Sequence, residues 1–150
     1  MSFPAIDQIL LTREPLATAD AIAFVTDAAA GGIAVFLGTT RAETSNTGQP
    51  LAALDYEAYA EMAFQQMRDL ATQARLRWPI LRLALLHRTG SVAVGEPSVV
   101  IAVSTGHRGE SFEACRWLID TLKAHVAVWK KEVWADGSIS WVAGTPVTSP

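Results

Sequence analysis

The chain has 150 residues, of which half are apolar and 18% are charged, and its formal net charge is −3 at pH 7. This length suits one domain, residues 1–150, with a normal hydrophobic core, and the composition excludes a disordered chain. The acidic balance argues against general nucleic-acid binding, and no apolar run is long enough to cross a membrane.

The first forty residues predict a strand, a helix and a second strand. Because the opening lacks a basic segment followed by a long apolar one, we expect no signal peptide and a cytoplasmic protein. Residues 5–11 alternate loosely, as an edge strand does. Thr18 is placed to cap a helix, and Gly31 and Gly32 to stop it. Residues 33–39, IAVFLGT, have the length and composition of a buried strand.

The middle of the chain predicts a loop, a strand and a long helix. Residues 42–50 are rich in turn formers and should form a mobile loop, and residues 51–59 read as a strand. Apolar residues at helical spacing predict a helix over residues 60–77, and Pro79 would end it. Its apolar stripe comprises Met62, Met67, Leu70, Ala71 and Ala74.

The last third predicts more strands and a second long helix. Strands are expected at residues 80–87, 91–94 and 98–104, a helix at 111–131, a hairpin around Asp136 and Gly137, and a flexible tail at 143–150. This order predicts an α+β fold with a mixed or mainly antiparallel sheet. Neither GxGxxG nor GxxxxGK[ST] is present, so the two commonest nucleotide-binding motifs have no support.

Cys115 is the only cysteine, which excludes an internal disulfide and a thiolate metal cluster. It lies within an apolar stripe of the predicted last helix, where a thiol acts as a small buried hydrophobe. Sulfur or acyl chemistry would therefore need a thiol from another molecule. The stripe comprises Phe112, Cys115, Leu118, Ile119, Leu122, Val126 and Trp129.

Five basic side chains, of which His107 is a cation only when it is protonated, suggest a site for an anion. Lys123 and Lys130 are seven residues apart, which on a helix returns to nearly the same face. His107 and Arg108 occupy the turn before that helix, whose free amides and dipole attract anions. Arg41 follows a strand beside the predicted mobile loop. Each of these residues also has an ordinary structural role. The aliphatic parts of the two lysine side chains can cover the edge of the core. His107 and Arg108 can stabilise the turn, and Arg41 can simply be solvated. No histidine pattern supports a metal site.

Separate blocks in the same order resemble the large, catalytic subunit of molybdopterin synthase. They are FLGTTR, RWP, HRTG, STGHRGESFEA and an LK pair followed by VWKKE, and the resemblance covers about residues 5–142. The resemblance implies an α/β-hammerhead-like core with an added β-rich subdomain.

The resemblance also implies an activity, a substrate and a partner. Family members convert cyclic pyranopterin monophosphate to molybdopterin by adding two sulfurs, without a cofactor. The sulfur arrives as a thiocarboxylate on the C-terminal glycine of a small ubiquitin-like subunit. The family forms a homodimer within a heterotetramer, in which the second protomer can complete each pocket.

Carried over by position, the resemblance makes Lys123 and Lys130 catalytic. Lys123 would serve acid–base work or activation, and Lys130 would hold the thiocarboxylate or offset developing charge. Arg41, His107 and Arg108 would bind the substrate phosphate. One departure is that the tail AGTPVTSP lacks the basic residues that relatives often carry there.

Two other functions fit the residues. The chain could be a module that binds an anion or the tail of a ubiquitin-like protein without turnover. It could instead be another enzyme for an acyl or phosphate ligand that uses the same strand–turn–helix unit.

Overall fold

The computed structural model describes residues 6–142, and the α+β prediction is confirmed. The elements are β1 (Asp7–Thr12), α1 (Thr18–Val25), β2 (Gly32–Thr39), β3 (Leu51–Ala58), α2 (Ala60–Arg77), β4 (Ile80–Arg88), β5 (Gly90–Ala93), β6 (Pro97–Thr105), α3 (Arg108–His125), β7 (Val128–Trp134) and β8 (Ile139–Trp141). Every helix within residues 6–142 is too short or too polar to span a bilayer. The predicted tail at 143–150 lies outside the described residues, and the single-domain organisation stays a prediction.

The first sheet has the strand order β1-β4-β6-β2, so β1 is an edge strand as predicted. β1 runs parallel to β4, and the other neighbours are antiparallel. Helices cover both faces of the central strands, which explains why β4 and β6 are nearly continuous apolar runs. In β4, Leu83 and Leu85 face the core under α2 and α3, and Ala84 and Leu86 face the smaller core under α1.

The second sheet has the order β5-β3-β7-β8 and is antiparallel throughout. It forms the β-rich part of the fold that the resemblance implies. The predicted hairpin joins β7 to β8, and Gly137 takes a positive φ of 86° in its turn. In the middle of the sheet, β7 pairs with β3 so that Lys130 stands opposite Tyr56.

The helix predicted at residues 111–131 has different bounds, because α3 begins at Arg108 and ends at His125. Val126 already has extended backbone angles, and the β-branched residues there favour a strand. The Ala127 N–H donates a 2.7 Å hydrogen bond to Gln66 Oε1. Beyond it the chain pairs with β3, so tertiary pairing overrides the helical spacing of the apolar residues.

Helix α1 is shorter than predicted, whereas α2 has the predicted bounds. The N-cap of α1 is Ala17 and not Thr18, and α1 ends at Val25, well before Gly31. The side chain of Asp27 accepts a hydrogen bond from the Ala29 N–H, which stabilises a turn where the longer helix was expected.

Candidate active site

A cavity of about 300 Å³ lies where the second sheet meets one end of the first sheet and the C-terminal end of α3. The ends of β2 and β4, the start of β6 and parts of β3 and β7 form its walls. Polar side chains in these walls come from five strands and one helix. They are Thr39, Tyr56, His87, Ser98, Lys123 and Lys130.

Lys123 and Lys130 both line this cavity, although they do not lie on one helix face as their spacing predicted. Lys123 is in the last turn of α3 and is exposed. Lys130 is on β7, and its Nζ lies 5.9 Å from the ring centroid of Tyr56. The turn between α3 and β7 brings them together, so the seven-residue spacing is not the cause.

Lys130 and its neighbour Lys131 have opposite surroundings, because successive residues of a strand point to opposite faces. Lys131 Nζ lies 3.6 Å from Asp55 Oδ2 and 3.7 Å from Glu57 Oε1, and only 21% of its side chain is exposed. Lys131 is therefore a half-buried residue that two carboxylates neutralise. Within residues 6–142, Lys123 and Lys130 form no ion pair, so both ammonium groups are available to an anion in the cavity.

His107 and Arg108 lie at the other end of α3, so the structure does not gather the five basic side chains of the predicted anion site around one point. Fifteen helical residues separate Arg108 from Lys123, which corresponds to about 22 Å. His107 is the N-cap of α3, where its backbone carbonyl accepts a 2.5 Å hydrogen bond from Thr105 Oγ1. Both side chains belong to exposed residues. Within one chain, they cannot contact a ligand in the cavity.

Arg41 lies at the rim of the cavity, two residues beyond the lining residue Thr39. Its side chain is 84% exposed, and its guanidinium lies 2.8 Å from Glu43 Oε1. The hydrogen bond from Arg41 lowers the pKa of the Glu43 carboxyl, and the charge of Lys130 adds to this effect. Arg41 is thus near the lysines but paired with a carboxylate.

The loop at residues 42–50 closes on itself. A bridge joins Thr44 to Pro50, and the Ser45 N–H donates a 2.8 Å hydrogen bond to the Gln49 carbonyl. Its mobility stays a prediction.

His87, near the end of β4, is not among the site residues that the sequence predicted. His87 lines the cavity, is 4% exposed and packs edge-on against Tyr56 with 5.3 Å between ring centroids. Its pKa is lowered to about 4, mainly by burial and in smaller part by the positive charge of Lys130, whereas a hydrogen bond to the Arg88 carbonyl opposes the shift. His87 is consequently neutral at pH 7. The HRTG block, which begins at His87 itself, was the available signal.

Tyr56 was also missed, and its phenol faces the same cavity. Burial raises its pKa, so it stays protonated at pH 7. Its alternating strand gave no sign that this residue would face a cavity.

The prediction that Cys115 is a buried packing residue is confirmed. It is 6% exposed, and burial raises the pKa of its thiol to about 11. A thiol so seldom ionised is a poor nucleophile. Phe112, by contrast, is 64% exposed, so the apolar stripe of α3 begins one turn later than predicted.

The chain is similar to known proteins over most of its length. The family described as MoaE protein matches residues 11–125. A molybdopterin synthase catalytic subunit of Nostoc sp. is 40% identical over 138 residues, which are 91% of this chain and 82% of the relative. The crystal structure of molybdopterin synthase from Staphylococcus aureus is 30% identical with a TM-score of 0.82, covering 89% of this chain and 95% of that one. One chain of a complex of subunits 1 and 2 of molybdopterin-converting factor from Helicobacter pylori shares the fold, with 18% identity, a TM-score of 0.69 and coverage of 95% and 93%.

Proposed function

Because this chain belongs to the MoaE family, we propose that it catalyses the molybdopterin synthase reaction in molybdenum cofactor biosynthesis. It converts cyclic pyranopterin monophosphate to molybdopterin with two sulfurs from a small ubiquitin-like subunit. The observation that carries this proposal is the cavity lined by Lys123 and Lys130, which form no ion pair within residues 6–142.

The two lysines match the charges of the reactants. The substrate phosphate and the partner's thiocarboxylate are both anions, and the attacking sulfur carries negative charge. Each transfer forms a carbon–sulfur bond on the pterin side chain and breaks a carbon–oxygen bond at the same carbon, whose oxygen leaves as water or stays on the opened phosphate. Water then cleaves the acyl–sulfur bond to leave a carboxylate on the partner. Lys123 serves acid–base work at the open side of the cavity, and Lys130 offsets charge beside Tyr56. Cys115 is buried, so the chain relies on sulfur from its partner.

The partner is the small subunit, as in the Helicobacter pylori complex of subunits 1 and 2, whose chain shares this fold. A cavity between two sheets suits the end of an extended tail, because both faces of the tail are then enclosed. The unpaired lysines favour a tail that ends in a negative charge.

The protein functions as a homodimer within a heterotetramer, because His107 and Arg108 need a second protomer to reach a cavity. β2 is an edge strand with a row of exposed apolar side chains on one face. They are Ile33 (39% exposed), Val35 (39%) and Leu37 (42%). An exposed apolar edge strand is a ready surface for pairing with another chain.

Antiparallel pairing of two copies of β2 about a twofold axis places the start of each strand beside the end of the other. The start packs against α3, since a Cβ on Gly32 would lie 3.0 Å from the Arg108 Cα. The end lines the cavity through Thr39. β2 spans about 24 Å, close to the length of α3 that separates Arg108 from Lys123. In this arrangement, Arg108 and His107 of each protomer bind phosphate at the partner's cavity, beside Arg41.

The protein acts in the cytoplasm. The single cysteine remains a buried free thiol, which suits a reducing compartment.

The test is sulfur transfer with purified components. The chain is mixed with cyclic pyranopterin monophosphate and a small subunit that carries a C-terminal thiocarboxylate, and the dithiolene product is measured. The matched control is the same subunit with an ordinary carboxylate, which should give no product. If the thiocarboxylated subunit binds tightly but no sulfur reaches the pterin, the chain is a tail-binding module and the proposal is wrong.

A further inference from the structure

The cavity contains one buried group to which the proposed reaction gives no role. The reactive anions account for the lysines, and the Ser98 hydroxyl donates a hydrogen bond to the Gly38 carbonyl at 3.2 Å. His87 lines the same cavity and is 4% exposed, yet neither the phosphate nor the thiocarboxylate needs a neutral imidazole.

The hydrogen bond at Nδ1 fixes which ring nitrogen of His87 carries the proton. Nδ1 lies 2.8 Å from the backbone carbonyl of Arg88. A carbonyl oxygen only accepts, so Nδ1 donates its hydrogen, and the neutral ring keeps a lone pair at Nε2. Within residues 6–142 this is the only hydrogen bond of the ring, which leaves Nε2 for a molecule in the cavity.

The ring is also held in one orientation. A ring flip would break the bond to Arg88, and the edge-on contact with Tyr56 restricts rotation. A fixed acceptor in a cavity that otherwise presents ammonium groups and hydroxyls recognises a donor, not an anion. Of the reactants proposed above, the pterin ring carries N–H donors, whereas the phosphate and the thiocarboxylate offer only acceptors at neutral pH.

We infer that Nε2 of His87 accepts a hydrogen bond from an N–H of the pterin ring, and that His87 thereby positions the substrate. This inference rests on the proposed function for the identity of the substrate. The lysines hold the anionic groups, and His87 fixes the orientation of the ring between them.

Two substitutions of His87 distinguish the acceptor role of Nε2 from the hydrogen bond that Nδ1 donates to the Arg88 carbonyl. His87→Asn keeps an N–H where Nδ1 donates to the Arg88 carbonyl but removes the acceptor at Nε2. His87→Gln places an amide oxygen near the Nε2 position but loses the bond to Arg88. Binding of cyclic pyranopterin monophosphate and steady-state turnover are measured on the intact protein with its thiocarboxylated partner. Arg116→Ala, at an exposed position of α3, is the control.

We expect His87→Asn to raise Kd and KM about tenfold with little change in kcat, and His87→Gln to recover most of the binding. Normal pterin binding by His87→Asn would overturn the inference, and impairment of His87→Gln alone would assign His87 a purely structural role.

A second measurement decides the case in which both variants bind poorly. ¹⁵N NMR of the imidazole in the wild-type protein should show an unprotonated Nε2 whose resonance shifts when the pterin is added. An unchanged resonance at saturating pterin would overturn the inference. If the wild type binds the pterin but makes no product, the proposed function fails while these binding results still decide the role of His87. If it does not bind the pterin at all, both are wrong.

Discussion

The two ends of α3 carry similar charges in different surroundings. At the C-terminal end, Lys123 meets Lys130 of β7 at a cavity. At the N-terminal end, His107 and Arg108 lie on an open surface. Charges beside a cavity are less screened by water and salt than charges on a surface. The cavity end is thus suited to chemistry, and the other end to holding an anion that a second protomer presents.

The largest expected effect is at the cavity end. Lys123→Ala and Lys130→Ala should each lower kcat for sulfur transfer about 10²- to 10³-fold, because the first removes the acid–base group and the second removes a cation that offsets charge in the transition state. Turnover with a thiocarboxylated partner is the measurement. Arg116→Ala removes an exposed cation from the same helix and should leave turnover unchanged. Normal kcat in either lysine variant would remove that lysine from the mechanism.

The cavity end should also make stability depend on pH. The pKa of His87 falls from 6.5 to about 4 on folding because of burial, so the unfolded chain binds the extra proton between these values. The contribution of the neutral His87 to the free energy of unfolding is fully present above pH 6.5. It is lost as the pH falls toward 4, and the loss amounts to up to about 3 kcal/mol.

Urea unfolding of the wild type and of His87→Asn between pH 4 and 7 measures this difference. In the variant, the free energy of unfolding should lose the part of its pH dependence that His87 causes. The carboxyl groups titrate equally in both proteins. Parallel pH curves for the two proteins would contradict the shifted pKa.

A smaller effect is expected at the open end of α3. Arg108→Ala should lower kcat/KM about 10- to 100-fold, since it removes one charge-assisted hydrogen bond to phosphate. If Arg108 acts across the dimer, a mixed dimer of Arg108→Ala and Lys123→Ala protomers has one intact site. Equal mixing with subunit exchange should then restore about a quarter of the wild-type activity. No recovery, with exchange demonstrated, would show that the two residues act within one chain.

The last prediction tests the strand that would join the protomers, and its main readout is the assembly of the protein. Val35→Glu should shift the protein to a monomer, because a charge then faces the twofold axis. Its activity should fall at least as far as that of Arg108→Ala, because a monomer lacks both His107 and Arg108 of the second protomer. Val94→Glu is the matched control, since Val94 is 40% exposed and Val35 39%. Sedimentation velocity of both variants gives the answer. Equal behaviour of the two would exclude β2 as the interface.

Local pattern predicted much of the fold, because periodicity and turn residues act within a few positions of one another. The bounds of α2 and the hairpin at Gly137 follow from nearby residues alone. The end of α3 does not, because β7 forms by pairing with β3, about 70 residues earlier. The meeting of Lys123 with Lys130 became evident only with the true end of α3, because Lys130 lies on β7 and not on the helix. The role of His87 depends on which end of β4 meets the second sheet.

Only Val126 and Ala127 connect α3 to β7, and so short a connection limits which insertions and deletions the protein can tolerate there. One inserted residue here would shift the alternation of β7, turning Lys131 toward the cavity and Lys130 toward Asp55 and Glu57. The charges would nearly match the original, so the altered protein could fold well and still fail as a catalyst. Selection should therefore forbid insertions and deletions at this connection, whereas the loop at residues 42–50 has room for them.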